Sequence, residues 1–239
     1  MDNPFIRTEM LLGAAGMERL ASAKVAVLGL GGVGSFAAEG LARSGVGHLR
    51  LFDQDTVSVS NLNRQLIATI QTVGRPKAEA AARRVLEIHP ACDVLGREFR
   101  YSTETREEFF AEKYDYIIDA IDLVSCKLDL IETAVSRNVP IISALGTGNK
   151  LDPSKLRITD ISKSENCPLA RVMRKELRAR GITKHLALWS TEEKVTPMGN
   201  AGEEPPPGRR SIPASVVWVP GVAGLMMAGE VVRRIAAGE

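Results

Sequence analysis

Cysteine is scarce in this 239-residue chain and scattered where it occurs, at Cys92, Cys126 and Cys167. No Cys-x-x-Cys pair is present. That excludes a four-cysteine zinc site within one chain and argues against a disulfide framework. Such usage fits a reducing cytoplasm. Net charge is nearly absent too: a formal +2 at pH 7 gives no global attraction for nucleic acid, so any such affinity must be local. No secretory signal is expected, because Met1–Arg7 is polar and Met10–Leu20 lacks an unbroken apolar core. The longest apolar stretch, Ile212–Val232, is broken by Pro213, Pro220, glycines and Glu230. It makes a poor membrane span, and a buried strand followed by a helix is expected instead. Internal repeats are lacking. Hydrophobic residues at 44% and charged residues at 25% suit one large α/β domain, or one domain with an appendage.

What is present is organised around Lys24–Asp55. Val25–Leu28 is an apolar, β-branched run of the kind a buried parallel strand needs. Gly29, Gly31, Gly32 and Gly34 follow, and a helical segment begins at Ser35. A second apolar run, Leu49–Phe52, ends in Asp53. Strand, glycine turn, helix, strand and acid make one mononucleotide-binding half of a doubly wound sheet. Glycine tolerates the tight turn, the helix N-terminus favours a phosphate, and Asp53 can accept bonds from ribose hydroxyls. A glycine-rich packing turn with nothing bound is the plainer alternative.

The remaining chain alternates. Phe5–Leu20 reads as short helical pieces, and Thr56–Leu66 as a polar connection. Val73, Gly74 and Pro76 punctuate a turn before a helix at Lys77–Ile88. A strand lies within Asp93–Phe99, then come a short helix at Thr103–Phe110, a strand at Tyr114–Ile121, a helix at Asp122–Asn138 and a strand at Val139–Ala144. This alternation predicts a Rossmann-like, mostly parallel sheet covered on both faces. Beyond Gly146 an antiparallel strand is expected at Leu156–Ile161, a basic helix at Pro168–Arg180 and a strand at His185–Thr191. Glu193–Arg210 reads as a mobile loop, Ser211–Val219 as a last strand and Pro220–Ala237 as a small-residue helix.

Asp53, Asp55, Asn61, Arg64, Gln65 and Lys77 would gather at the carboxyl ends of the strands, with Asp122 after the fourth strand as a carboxylate for Mg²⁺. Triphosphate chemistry requires such cations and a metal; hydride transfer by an NAD-dependent oxidoreductase does not. Taken singly, Arg64 and Lys77 could be solvated surface charges, and Asp119 and Asp122 helix N-caps.

GLGGVG, DQDTVSVSNLNRQ, VGRPK and DAID occur in this order. Together they resemble the adenylation domain shared by ubiquitin-activating enzymes and the bacterial ThiF and MoeB proteins. The resemblance covers about Phe5–Gly148, so residues 1–148 would form an ATP-binding adenylation core; 149–239 would be an extension packed on the same sheet, which the pieces quoted next mark as substrate- and tRNA-binding. It implies cleavage of ATP to pyrophosphate as an acyl-adenylate forms. It also implies that Gly32 lies against the nucleotide, Asp53 binds ribose, and Asn61, Arg64 and Lys77 contact phosphates with Gln65 beside them. Asp122 would hold Mg²⁺, with Asp119 a second candidate. Arg7 matches an arginine that enters a partner subunit's site, which implies a homodimer.

DPSKLRITDISKS, PLARVMRKELRARGI, LWSTE and SIPASVVWVPGVAGLMMAGEVVRR resemble the tRNA threonylcarbamoyladenosine dehydratase branch of that family. This implies ATP-dependent cyclisation of the modified adenosine, with a sulfur-relay partner protein possible. Lys163, Arg171, Arg174, Lys175, Arg178 and Arg180 concentrate charge into a footprint for RNA phosphates. A solvated amphipathic helix with Leu169, Val172, Met173 and Leu177 inward is compatible with it. Cys167 is expected to pack rather than react, because an acyl-adenylate that cyclises needs no enzyme nucleophile. The alternatives are an activator of a ubiquitin-like sulfur carrier, for which zinc cysteines are missing, an NAD-dependent oxidoreductase, and a non-catalytic RNA-binding module on a nucleotide fold.

Overall fold

The computed structural model describes residues 3–199 and 213–239. Seven strands form one sheet. They are β1 (Lys24–Leu28), β2 (His48–Asp53), β3 (Asp93–Glu98), β4 (Tyr116–Asp119), β5 (Ile141–Ala144), β6 (Leu156–Asp160) and β7 (Leu186–Ser190). Their order is β3-β2-β1-β4-β5-β7-β6. Every pairing is parallel except β6 with β7, in the register Leu156↔Ser190 to Asp160↔Leu186. The order reverses between β1 and β4, the switch point where an open α/β sheet binds its ligands.

Strand alternation divides the core. Val25, Val27, Leu49, Leu51 and Ile118 face one side, packed by α1 (Ile6–Ser22), α2 (Gly34–Arg43), α3 (Lys77–Ile88) and α7 (Trp218–Ala237). Ala26, Leu28, Ile117 and Ala187 face the other, under α4 (Arg106–Phe109), α5 (Val124–Ser136) and α6 (Pro168–Ala179). The central strands are buried on both faces and read as continuous apolar runs. Edge strand β3 is half exposed, which is why its bounds are faint in the sequence. Gly96 marks where α3 crosses it, since a Cβ there would lie 2.2 Å from the Ala78 carbonyl oxygen. The break in α1 falls at Gly13, whose φ of 73° is not helical.

The extension and the nucleotide half share this sheet and core. Gly224 of α7 sits so close to α2 that a Cβ would lie 2.2 Å from the Val33 carbonyl oxygen, and one on Gly40 would lie 2.7 Å from Ala228 Cβ. The apolar C-terminal stretch is therefore spent on helix packing. No helix among the described residues is long and apolar enough to cross a membrane.

Two expectations need comment. The strand at Ser211–Val219 is not formed over its described part. Residues 213–217 make no strand, and α7 begins at Trp218. Pro213 has no N–H for a ladder, while Ala214 bonds with Asn149 in both directions, at 2.8 and 2.7 Å. The loop at Glu193–Arg210, with Arg209 and Arg210 at its end, lies from residue 200 onward outside the described residues.

Gly224→Ala should lower stability in urea by about 1–3 kcal/mol, because the backbone it meets cannot yield. Gly229→Ala, in the same helix with open space around it, should raise stability by about 0.5–1 kcal/mol. Equal effects would disprove the close packing of α2 and α7.

Candidate active site at the β1–β4 switch point

The glycine turn is built by close backbone approach. Gly29 has φ +85°, and a Cβ there would lie 2.6 Å from the Ala120 carbonyl oxygen; one on Gly34 would lie 1.7 Å from the Gly29 oxygen. Neither position accepts a side chain. Gly32 is filled from the other side by Pro220 of α7, at 3.1 Å, while Gly31 meets only Gln65 Nε2, at 4.0 Å. The open position of the turn is thus Gly31, where the motif alone points to Gly32. Helix α2 then starts with no side-chain cap and no acid in its first turn, which leaves its amide end electropositive. Ser35, absent from the sequence reading, ties the turn to the loop beyond. Its hydroxyl donates to the Gly31 carbonyl (2.6 Å) and accepts from the Leu66 amide (3.1 Å).

Asp53 ends β2 beside this turn. One carboxylate oxygen accepts from the Leu30 amide at 2.6 Å and the other from the Asp55 amide at 2.8 Å. Burial raises its pKa; Lys77 and the two amides act against that. Lys77, first residue of α3, is buried, and its Nζ lies 2.8 Å from Asp55 Oδ2. It is no solvated surface charge. The chain between is pinned by Thr56 pairing with Pro76 and by Gly74, whose φ of +85° lets its amide reach the Val57 carbonyl at 2.8 Å.

Asn61 is buried and closes a reciprocal cap with Ser58, its Oδ1 accepting from the Ser58 amide at 3.1 Å. Arg64 is half-buried and folds onto its own loop, donating to the Ser60 carbonyl (2.7 Å) and Asn63 Oδ1 (2.9 Å). Gln65 is buried, and its Oε1 has no hydrogen-bond partner among the described residues. Buried amides are normally satisfied, so an orphan beside an open glycine turn fits a missing polar ligand.

Across the switch point, Asp119 and Asp122 have separate fates. Asp119 shares the face of β4 that Ile117 presents to α5. It is fully buried and pairs with the equally buried Lys127 at 2.9 Å. As a metal candidate it is corrected: its carboxylate lies fully inside the core with its charge balanced by Lys127, although Oδ2, like Gln65 Oε1, makes no well-aligned hydrogen bond among the described residues. Asp122 is exposed on the turn above. Neither is the N-cap of α5, a position that Leu123 takes. No group of three or more metal-ligating side chains occurs among the described residues. Mg²⁺ does not require one, being held by one or two carboxylates together with substrate phosphates. Asp122 fits that role.

Arg7 does not join this site within one chain. Phe5, two residues before it, packs edge-on against His89 at 4.9 Å and lies against Gly45. Both mark the amino ends of the strands, opposite the glycine turn.

On α6, Arg171, Lys175 and Arg178 are exposed, as is Lys163 just before the helix. Arg174 is partly diverted, donating to the Ser164 carbonyl (2.5 Å) and hydroxyl (2.9 Å). Arg180 pairs with Glu176 and Glu132, fastening α6 to α5. Met173 and Leu177 point inward, but Val172 is exposed. Cys167 is buried, and its Sγ caps α6 by accepting from the Ala170 amide at 3.4 Å.

Residues 6–238 match the ThiF family. The chain belongs to that family. Among ThiF-family relatives, the tRNA threonylcarbamoyladenosine dehydratase of Bacillus subtilis is 43% identical over 97% of this chain and 94% of its own length. The crystal structure of the Escherichia coli tRNA N6-threonylcarbamoyladenosine dehydratase TcdA in complex with AMP superposes with a TM-score of 0.88 at 31% identity, covering 98% of this chain and 94% of that one; TcdA has also been solved with ATP. The sulfur carrier protein ThiS adenylyltransferase of E. coli is 33% identical, over 57% of this chain and 55% of its own.

His185, missed in the sequence, lies buried beneath the site with Nε2 2.9 Å from Ser143 Oγ. Burial pushes its imidazole down to about 4. Unfolded chains take up this proton first, so the stabilisation is complete above pH 6.5 and lost as pH falls towards 4. The full loss is about 3 kcal/mol. Urea titrations should show that slope between pH 6.5 and 4.5, and His185→Asn should flatten it.

Proposed function

We propose that this protein is an ATP-dependent tRNA threonylcarbamoyladenosine dehydratase acting through an acyl-adenylate. One observation carries the reading. Similarity to the B. subtilis dehydratase runs through the extension as well as the nucleotide half, over 97% of the chain, whereas the match to the sulfur-carrier adenylyltransferase spans 57%. The orphaned Gln65 beside Gly31, and Lys77 buried at the mouth of the turn, support ATP as the nucleotide.

In this reading ATP lies on the glycine turn, with Gly31 open to it, Gly29 and Gly34 shaping the turn, Gly32 backed by Pro220, and Asp53 accepting from ribose. Asp122 holds Mg²⁺, which when bound offsets charge on the phosphates. The threonyl carboxylate attacks the α-phosphorus and pyrophosphate leaves. Lys77 exchanges Asp55 for the phosphates, and Arg64 swings off its own loop to join it, with Asn61 fixing that loop. The carbamoyl group then attacks the acyl carbon, sheds a proton and expels AMP, so the base closes with net loss of water. Arg7, remote from its own turn, acts in the site of a second copy in a homodimer. Lys163, Arg171, Lys175 and Arg178 receive tRNA phosphates, with Arg174 contributing less because it braces Ser164. The compartment is the cytoplasm.

The test is incubation with ATP, Mg²⁺ and threonylcarbamoyl-modified tRNA, read by mass spectrometry. Loss of one water per modified base with release of AMP is expected; an unchanged base sinks the proposal. Lys77→Ala should slow the reaction by about 10²–10³-fold while the protein stays folded, with a melting temperature lower by about a few degrees.

Arg171→Glu/Arg178→Glu should weaken tRNA binding and flatten its log–log salt dependence by about 2. AMP affinity should stay constant. A salt slope equal to wild type would remove α6 from the RNA surface.

A further inference from the structure

The buried pair beneath the switch point is more than core filling. Lys127 Nζ lies 2.9 Å from Asp119 Oδ2 and donates to the Ile121 carbonyl at 2.9 Å. Asp119 Oδ1 accepts from the Ile121 amide at 3.1 Å. The two side chains thus hold two consecutive peptide planes. The first plane contains the Ala120 carbonyl, against which Gly29 packs without room for a Cβ. The second contains the amide of Asp122 itself. Both side chains are fully buried. An apolar pair of similar volume would stabilise a core as well or better, so burial alone does not account for the ion pair.

We infer that Lys127 is a positioning residue, which with Asp119 sets the 120–122 turn so that Ala120 backs the glycine turn and Asp122 meets the metal-bound phosphates. This rests on the function proposed above and extends it to a residue outside the motifs that carry the family resemblance. One clamp governs two outcomes: nucleotide affinity through the Ala120 contact, and metal affinity through Asp122. A residue serving only the core would move neither in a folded variant.

The charge-balanced variant Asp119→Asn/Lys127→Met tests this, because it leaves no unpaired buried charge. Lys127→Met alone is compared with it. Two readouts need no turnover: ATP affinity in EDTA by calorimetry, and the affinity of Mn²⁺ for the ATP complex from the spin-resonance signal of free Mn²⁺. The double variant should melt within a few degrees of wild type. It should bind Mn²⁺ about tenfold more weakly and metal-free ATP several-fold more weakly.

A folded double variant with both affinities within twofold of wild type would overturn the inference. So would a double variant that fails to fold, because the pair would then serve the core. Wild-type protein that binds neither ATP nor its Mn²⁺ complex would sink the functional reading and this inference with it. Wild-type binding alongside an unperturbed variant sinks the inference alone.

Discussion

The carbonyl oxygen of Ala120 leaves no space for a side chain at Gly29. That contact joins the carboxyl end of β1 to the turn after β4, the two sides of the switch point. It requires the left-handed backbone at Gly29, which in turn lets Gly34 fold back under the Gly29 carbonyl and begin α2. Once α2 is placed, its bare amide end faces the crevice. Asp53 completes the turn from β2 by accepting the Leu30 amide. The connection after β2, pinned by Thr56 and Pro76, then brings Asn61, Arg64 and Lys77 towards the same turn.

Much of this was readable because each element obeys a single period. The bounds of α3 agree residue for residue with its apolar spacing, and β1 agrees because a strand buried on both faces cannot hide its apolar run. The failures occur where tertiary contacts overrule local pattern. Residues 213–217 look extended, yet Asn149 takes the bonds a sheet neighbour would need. Asp122 is the first metal candidate in DAID and Asp119 the second; strand alternation sends Asp119 into the core and leaves Asp122 on the turn. Lys127 carries no local signal, since a lysine on a helix ordinarily reads as solvated. Tertiary packing of α5 buries it against Asp119 of β4.

The cations of the site are held, but not strongly. Asp55 is more than half exposed on its side of the pair with Lys77, so that pair contributes under about 1 kcal/mol. The partners of Arg64 are a loop carbonyl and a neighbouring side chain. Polyphosphate offers both residues charge-assisted bonds about twice as strong as neutral ones. The arrangement keeps both cations near the glycine turn without committing either. The buried pair at Asp119 and Lys127 is the opposite case, fully desolvated and fixed on the backbone. The buried pair is fixed on backbone, whereas Lys77 and Arg64 keep partners that are exposed or local.

The C-terminal segment reaches the same crevice from behind. Pro220 closes the far side of Gly32, Asn63 donates to the Ser215 carbonyl at 3.0 Å, and Gly224 admits α7 onto α2 at the start of that helix. Asn63 also accepts from Arg64, so one side chain bridges that arginine and the strap that leads into α7. A chain cut after the nucleotide half would lose the wall behind Gly32 and the cover over α2. Glycine at 224 is therefore as much a requirement of the nucleotide turn as glycine at 34, although some 190 residues separate them. The crevice is assembled from both ends of the sequence, which is why similarity extending through residue 238 weighs more than the opening motif alone.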